Sequence, residues 1–234
     1  MYLLSWKNQL YSWIFGLSSA RLVEVRTYGD PCGIARALDL VGERWALLVV
    51  RELLLGPKRF TDLRAGLPHV GPDMLAQRLR ELEQAGVVQR GKLPPPAGAR
   101  VYELTDWGRQ LEPVVLALGR WGSQAPFPPE RGELGVDAMV LALKTVFDPQ
   151  RVERLRDQTF ELRLGETPFT VRVGDTGLEA ARGPATDPRA TIATDPGILQ
   201  DVLWHDRPVS AGGLEIAGDR RAGERFLALF PLPA

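Results

Sequence analysis

The chain has 234 residues, 44% apolar and 25% charged, an ordinary globular composition long enough for two domains. One cysteine, Cys32, and two histidines, His69 and His205, exclude an intrachain disulfide framework and a Cys-rich zinc site and leave no basis for a transition-metal site. The 29 Lys/Arg balance 29 Asp/Glu, but residues 26–125 hold 14 basic and 11 acidic side chains and residues 126–234 hold 13 and 17, a split that points to different partners for the two parts.

Residues 1–25 are apolar and aromatic but are interrupted by Ser5, Lys7, Asn8, Gln9 and Ser12. No run of about 18 apolar residues is present, so a spanning helix is not expected. No basic stretch precedes the apolar part, which argues against a secretory signal. Leu3, Trp6, Leu10, Trp13 and Leu17 recur at three and four residues, the pattern of an amphipathic helix. Its apolar stripe needs a cover, either a dimer or interdomain contact or a membrane surface, unless the segment is an extension without function.

Residues 26–124 read as helix, helix, short helix, long helix, hairpin, helix. The first helix spans about 33–41 with Ile34, Leu38 and Val41 on one face. The second spans about 44–55, is apolar nearly all round and stops at Gly56-Pro57, so it is expected to be buried. A short helix at 59–67 buries Phe60, Leu63 and Leu67. After the turn "PHVG" comes "GPDMLAQRLRELEQAG", with Pro72 suited to its first turn and Gly86 to the position past its last. Leu75, Leu79 and Leu82 form its core stripe. Asp73, Gln77, Arg80 and Gln84 lie opposite, with Met74 and Arg78 on the flank. Residues 87–105 form two short strands around a Pro/Gly tip. Thr105 can cap the next helix, in which Pro113 should cause a kink or a restart.

Two helices joined by a short turn, then a charged hairpin, form a winged helix-turn-helix order. Such a second helix lies in the major groove with its N-terminal residues at base edges. Gly71, Pro72 and Asp73 open it, and Gln77, Arg78 and Arg80 follow; Gln can read adenine and Arg guanine. Thr61 on the preceding helix can meet phosphate, and Arg90, Lys92 and Arg100 place positive charge on the wing. The stretch from "CGIARALDLVGERW" through "RFTDLRAGL" and "LAQRLRELEQAGVV" to "YELTDWGRQL" resembles the HxlR family of bacterial transcriptional regulators, over about residues 27–122. The resemblance implies a winged-helix homodimer on double-stranded, pseudo-palindromic DNA, with the helices flanking the winged domain building the dimer. It also assigns base reading to Pro72, Asp73, Met74, Gln77 and Arg78. The tip at Pro94 to Pro96 departs from the family's pattern.

Residues 125–133 are a linker by composition. Beyond it a helix at 136–147, a strand meander at 160–183, a strand at 189–194, a helix at 196–204, a strand at 212–219 and a helix at 220–230 make an α+β domain. No catalytic constellation is present, so an enzyme is not expected and no cofactor is implied. Residues 189–230, with "GLEIAGD" and "RFLALF", resemble the sterol-carrier-like (SCP2-like) fold. That resemblance implies an antiparallel-rich five-stranded sheet enclosing an apolar cavity, with Leu199, Val202, Leu203, Trp204, Phe226, Leu229 and Phe230 as its lining.

The chain thus divides into an extension (1–25), a DNA-binding domain (26–124), a linker and a ligand-binding or partner domain (134–234). The function expected is a cytoplasmic, homodimeric transcriptional regulator whose C-terminal domain senses an apolar small molecule, with no membrane partner. Two alternatives stand beside it. One is a redox or electrophile switch at Cys32, because a thiol at a helix N-terminus is favoured as thiolate. The other is a lipid-binding or lipid-transfer protein with a vestigial helix-turn-helix.

Overall fold

The computed structural model describes residues 27–94, 96–126, 132 and 134–232. The amphipathic segment expected over 1–25 lies outside the described residues, as do Pro95 and most of the expected linker. The chain forms two compact units, residues 1–42 and residues 43–234.

In the first unit, α1 (Gly33–Val41) begins at Cys32, whose N–H donates to the Asp30 carboxylate at 2.8 Å. Asp39 accepts the Thr27 hydroxyl at 2.8 Å and the Tyr28 N–H at 2.9 Å, folding the entering chain onto the helix. Of the expected apolar face, Val41 is buried, but Ile34 is 73% and Leu38 43% exposed. The spacing is that of an interior face, and most of that face stands open.

The second unit starts with α2 (Ala46–Leu53), entered through Trp45 at φ +78°, with the Arg44 guanidinium 5.2 Å from the indole centroid. Val49, Val50 and Leu53 are buried, as the apolar run predicts. Next come α3 (Phe60–Gly66) and α4 (Pro72–Gln84). Pro72 sits in the first turn of α4 and Gly86, at φ +72°, just past its end. Strands β1 (Val88–Lys92) and β2 (Arg100–Leu104) pair antiparallel, and Lys58 adds a bridge to Tyr102 as a third edge. Leu63, Leu75, Leu79, Leu82 and Leu104 fill the space between helices and hairpin.

The Thr105 hydroxyl accepts the Gly108 N–H at 3.0 Å and donates to the Gly86 carbonyl at 2.7 Å, so the expected cap also ties β2 to the end of α4. A Cβ at Gly108 would lie 2.1 Å from the Val87 carbonyl oxygen, so this close approach needs glycine. The chain restarts around Pro113, giving a short α5 (Asp106–Arg109) and then α6 (Glu112–Gly122). Proline fits a first turn, where its missing N–H has no partner to lose.

Helix α7 (Val136–Val146) is buried along most of its length. Strands β3 (Thr159–Leu164), β4 (Thr167–Val173) and β5 (Leu178–Arg182) form the expected meander. Strand β6 (Ala190–Thr194) then lies parallel to β3, and β7 (Leu214–Gly218) pairs antiparallel with β6, giving the order β5-β4-β3-β6-β7. Helix α8 (Pro196–Trp204) connects β6 to β7, and α9 (Arg220–Leu227) follows β7, capped by Asp219. Phe160 stacks on Phe226 at 4.6 Å, and Phe226 meets Phe230 edge-on at 5.1 Å.

The winged part and this sheet share one core, because Leu55 joins the cluster that contains Leu143, Phe160 and Phe230. Helix α6 approaches α7 at Gly119, where a Cβ would lie 3.1 Å from the Thr145 side chain. Beside that contact the Arg120 Nε donates to the Thr145 carbonyl at 3.2 Å, and Lys144 pairs with Glu112. A buried ionic cluster closes the same junction. The Lys58 ammonium pairs with Glu52 at 2.6 Å and with Asp137. Arg51 holds the other Glu52 oxygen at 2.9 Å, and Arg182 reaches Asp137 at 2.6 Å. Glu52, Lys58 and Asp137 are all under one-tenth exposed. A buried charge is tolerated only when paired, so these groups specify how the two parts meet.

Candidate nucleic-acid interface

Helix α4 turns Leu75, Leu79 and Leu82 inward, and this fixes what faces out. Pro72, Asp73, Met74, Gln77 and Arg80 are exposed along one side, preceded by the exposed Gly71. The N–H groups of the helix's first turn have no intrahelical partners, so this end suits an anion. Thr61, in the first turn of α3, is exposed as well.

Arg78 departs from the expectation. Its side chain is 6% exposed, pairs with Glu81 and lies 3.7 Å from Glu43, with Nη2 3.9 Å from the Met74 sulfur. Its buried Nε has no hydrogen-bond partner among the described residues. The reason is its place around the helix. At 3.6 residues per turn it lies only about 60° from Leu75, on the margin of the buried stripe. Glu81, which sequence reasoning did not single out, also accepts the Gln77 side-chain N–H at 3.0 Å. It therefore orients one outward side chain and neutralises one inward cation.

On the wing, Arg90 is exposed but paired with Glu83 at 3.1 Å, and its guanidinium lies 5.8 Å from the Tyr102 ring centroid. Lys92 and Arg100 stand directly opposite one another across the hairpin, both exposed. Like charges at facing positions of a strand pair are destabilising. An anion held between them would reverse that sign. Arg59 is bound to Asp62 at 2.8 Å, and this hydrogen bond holds the Asp62 carboxyl below its ordinary value.

The residues expected to line an apolar cavity fall in two groups. Leu199, Phe226, Leu229 and Phe230 are fully buried and pack as core. Val202, Leu203 and Trp204 are half-buried against that core, and the Trp204 indole N–H donates to the Phe230 carbonyl at 3.0 Å. A cleft of about 590 Å³ opens elsewhere, between α6 and the turn into β5, and none of these seven residues lines it. Cys32 is exposed. Among the described residues no three His, Cys, Asp or Glu side chains gather to hold a metal ion. Among the same residues no helix is long and apolar enough to cross a membrane.

Comparison with known proteins places residues 40–128 in a family described as HxlR-like helix-turn-helix. The HTH-type transcriptional regulator YvaP of Bacillus subtilis is 37% identical over 89 residues, which are 38% of this chain and 82% of YvaP. The HTH-type transcriptional regulator YodB of the same organism is 39% identical over 88 residues, 38% of this chain and 79% of YodB. A solved structure of quinone-bound YodB covers 39% of this chain and 97% of its own, at 35% identity and a TM-score of 0.34. These relatives are transcriptional regulators by name. With its ordered helix pair, exposed α4 face and charged wing, the chain belongs to the HxlR-like helix-turn-helix family of transcriptional regulators.

Proposed function

We propose that this chain is a sequence-specific, homodimeric transcriptional regulator that reads double-stranded DNA through α4 and the β1–β2 wing. The observation that carries the reading is the outward set Asp73, Met74, Gln77 and Arg80, flanked by the facing Lys92 and Arg100. Gln77 and Arg80 supply paired hydrogen bonds to base edges, while the wing cations and Thr61 grip phosphate. Arg78 serves by bracing α4 rather than by touching bases. For the dimer, Val114, Leu118 and Trp121 on α6 and Ile34 and Leu38 on α1 are exposed apolar residues at helical spacing. Such stripes suit burial against a second copy.

The C-terminal domain is the sensor of a small molecule with an apolar body. Its five-stranded sheet with packed helices supports the SCP2-like reading. The close aromatic packing of Phe160, Phe226 and Phe230 argues for a ligand site outside that core.

A second reading is favoured by one observation. Cys32 is exposed at the start of α1, beside the open Ile34 and Leu38, and the relative YodB has been solved with quinone bound. In that reading a quinone adds to the Cys32 sulfur, a C–S bond forming as the ring becomes a hydroquinone that keeps the thiol proton on its oxygen, and the adduct disturbs the α1 contact between subunits.

Mobility shifts on duplexes selected from a random library, with sedimentation of the free protein, test the main reading. The expected result is a dimer that selects a two-fold-related site. A monomer that retains no duplex at low salt would overturn it. Loss of operator binding on quinone treatment in wild type but not in Cys32→Ser identifies the second reading, and equal loss in both rejects it.

A further inference from the structure

Along α6, facing the turn into β5 and with Lys144 of α7 at its side, the surface opens into the cleft of about 590 Å³. That volume lies within the roughly 300–1,000 Å³ that holds small organic ligands. Leu116, Ala117 and Trp121 from α6 and Leu178 from β5 give it an apolar wall. Among the described residues its cations are Arg120 and Lys144, against one carboxylate, Glu112, which Lys144 already holds. One positive charge is therefore left over beside an apolar surface. The Arg120 Nε is fixed on the Thr145 carbonyl, which orients the guanidinium of this cleft-lining residue.

We propose that this cleft binds a small aromatic or alicyclic carboxylate, with its ring body against Leu116, Trp121 and Leu178 and its carboxylate at Arg120 and Lys144. The proposal rests on the regulator reading and names the ligand class and place that reading leaves open. Trp121 links the site to the dimer. At 3.6 residues per turn, Val114, Leu118 and Trp121 form one stripe along α6, and Ala117, Arg120 and Gln124 lie about 60–120° round from it on the cleft side. Trp121 stands on the border, 73% exposed, and belongs to both surfaces. A ring stacked on Trp121 changes the surface offered to the second copy. Occupancy then changes operator affinity through the dimer by linkage.

Calorimetric titration of the full chain with 2-naphthoate, and with neutral 2-naphthalenemethanol of the same ring, tests the proposal. Lys144→Gln removes the charge, Ala117→Phe fills the cleft from an exposed helix position, and Glu153→Gln, exposed and outside the cleft, is the control; circular dichroism confirms that each variant folds. The expected result is one naphthoate per chain, bound roughly tenfold or more tightly than the alcohol, the affinity falling by a similar factor in Lys144→Gln and Ala117→Phe and unchanged in Glu153→Gln. No heat at naphthoate concentrations on the order of 1 mM, equal binding of the alcohol, or affinity unaffected by both cleft variants would overturn it. Operator shifts on the same samples separate the two readings. Intact DNA binding without naphthoate binding removes the cleft alone. Variant-sensitive naphthoate binding without any DNA binding removes the regulator and leaves the cleft standing.

Discussion

Replacing Lys58 by methionine probes the junction at its most buried charge. The ammonium lies between Glu52 and Asp137, which are 1% and 3% exposed, and a methionine of similar length fills its place without a cation. Breaking a buried ion pair by removing one partner costs about 3–5 kcal/mol. Neither carboxylate is left bare here, because Arg51 still holds Glu52 and the half-exposed Arg182 still reaches Asp137. The loss therefore belongs at the lower end, about 3 kcal/mol, or about 6–12 °C in melting temperature for a chain of this size. Lys58 also exchanges backbone hydrogen bonds with Tyr102, at 3.0 and 2.8 Å, so the damage reaches the base of the wing. Scanning calorimetry measures the loss, and the double variant Lys58→Met/Asp137→Leu supplies the control. Removing the second charge should recover most of it, since an apolar pair replaces an ion pair at little cost. A single variant within about 0.5 kcal/mol of wild type, or a double variant no better than the single, would refute the reasoning.

Other consequences follow from single contacts. Gly66→Ala places a Cβ 2.2 Å from the Glu52 carboxylate oxygen, so it should destabilise by about 1–3 kcal/mol, checked by urea unfolding. The Asp219 carboxyl lies below its ordinary value of 3.8, chiefly because it accepts the Ala222 N–H, with Arg189 adding to the effect. A depressed folded-state value means that its stabilisation is present above pH 3.8 and is lost as pH falls through the lower, folded value. The stability gap between wild type and Asp219→Asn, followed by circular dichroism, should therefore close on acidification. Lys92→Ala and Arg100→Ala should each flatten the salt dependence of DNA binding by about one unit of log–log slope while leaving site preference unchanged.

Helix α4 was legible because its signals agree: Pro72 in the first turn, Gly86 past the end and a leucine stripe between them. Arg78, read as a flank residue, is buried because the stripe has a margin, and whether a margin residue is buried depends on Glu43 and Glu81 across it. Helix α1 shows the converse, since periodicity marks Ile34 and Leu38 as a face to be covered but cannot say by what. The parallel pairing of β6 with β3 had no local signal, because it depends on the chain between β5 and β6 crossing the sheet. The ionic cluster joins Glu52 to Asp137 across 85 positions and was invisible as a contact. One signal for it did exist. An acid inside a helix read as apolar all round demands a buried cation.

In the proposed regulator α4 reads sequence and the wing reads phosphate. Anisotropy titration of the full chain against its selected duplex and a scrambled duplex, at one fixed salt concentration, tests this most directly when repeated with Gln77→Ala and Arg80→Ala. Each variant should lose about 1–3 kcal/mol on the selected duplex and little on the scrambled one. Equal losses on both duplexes, or none on either, would contradict it.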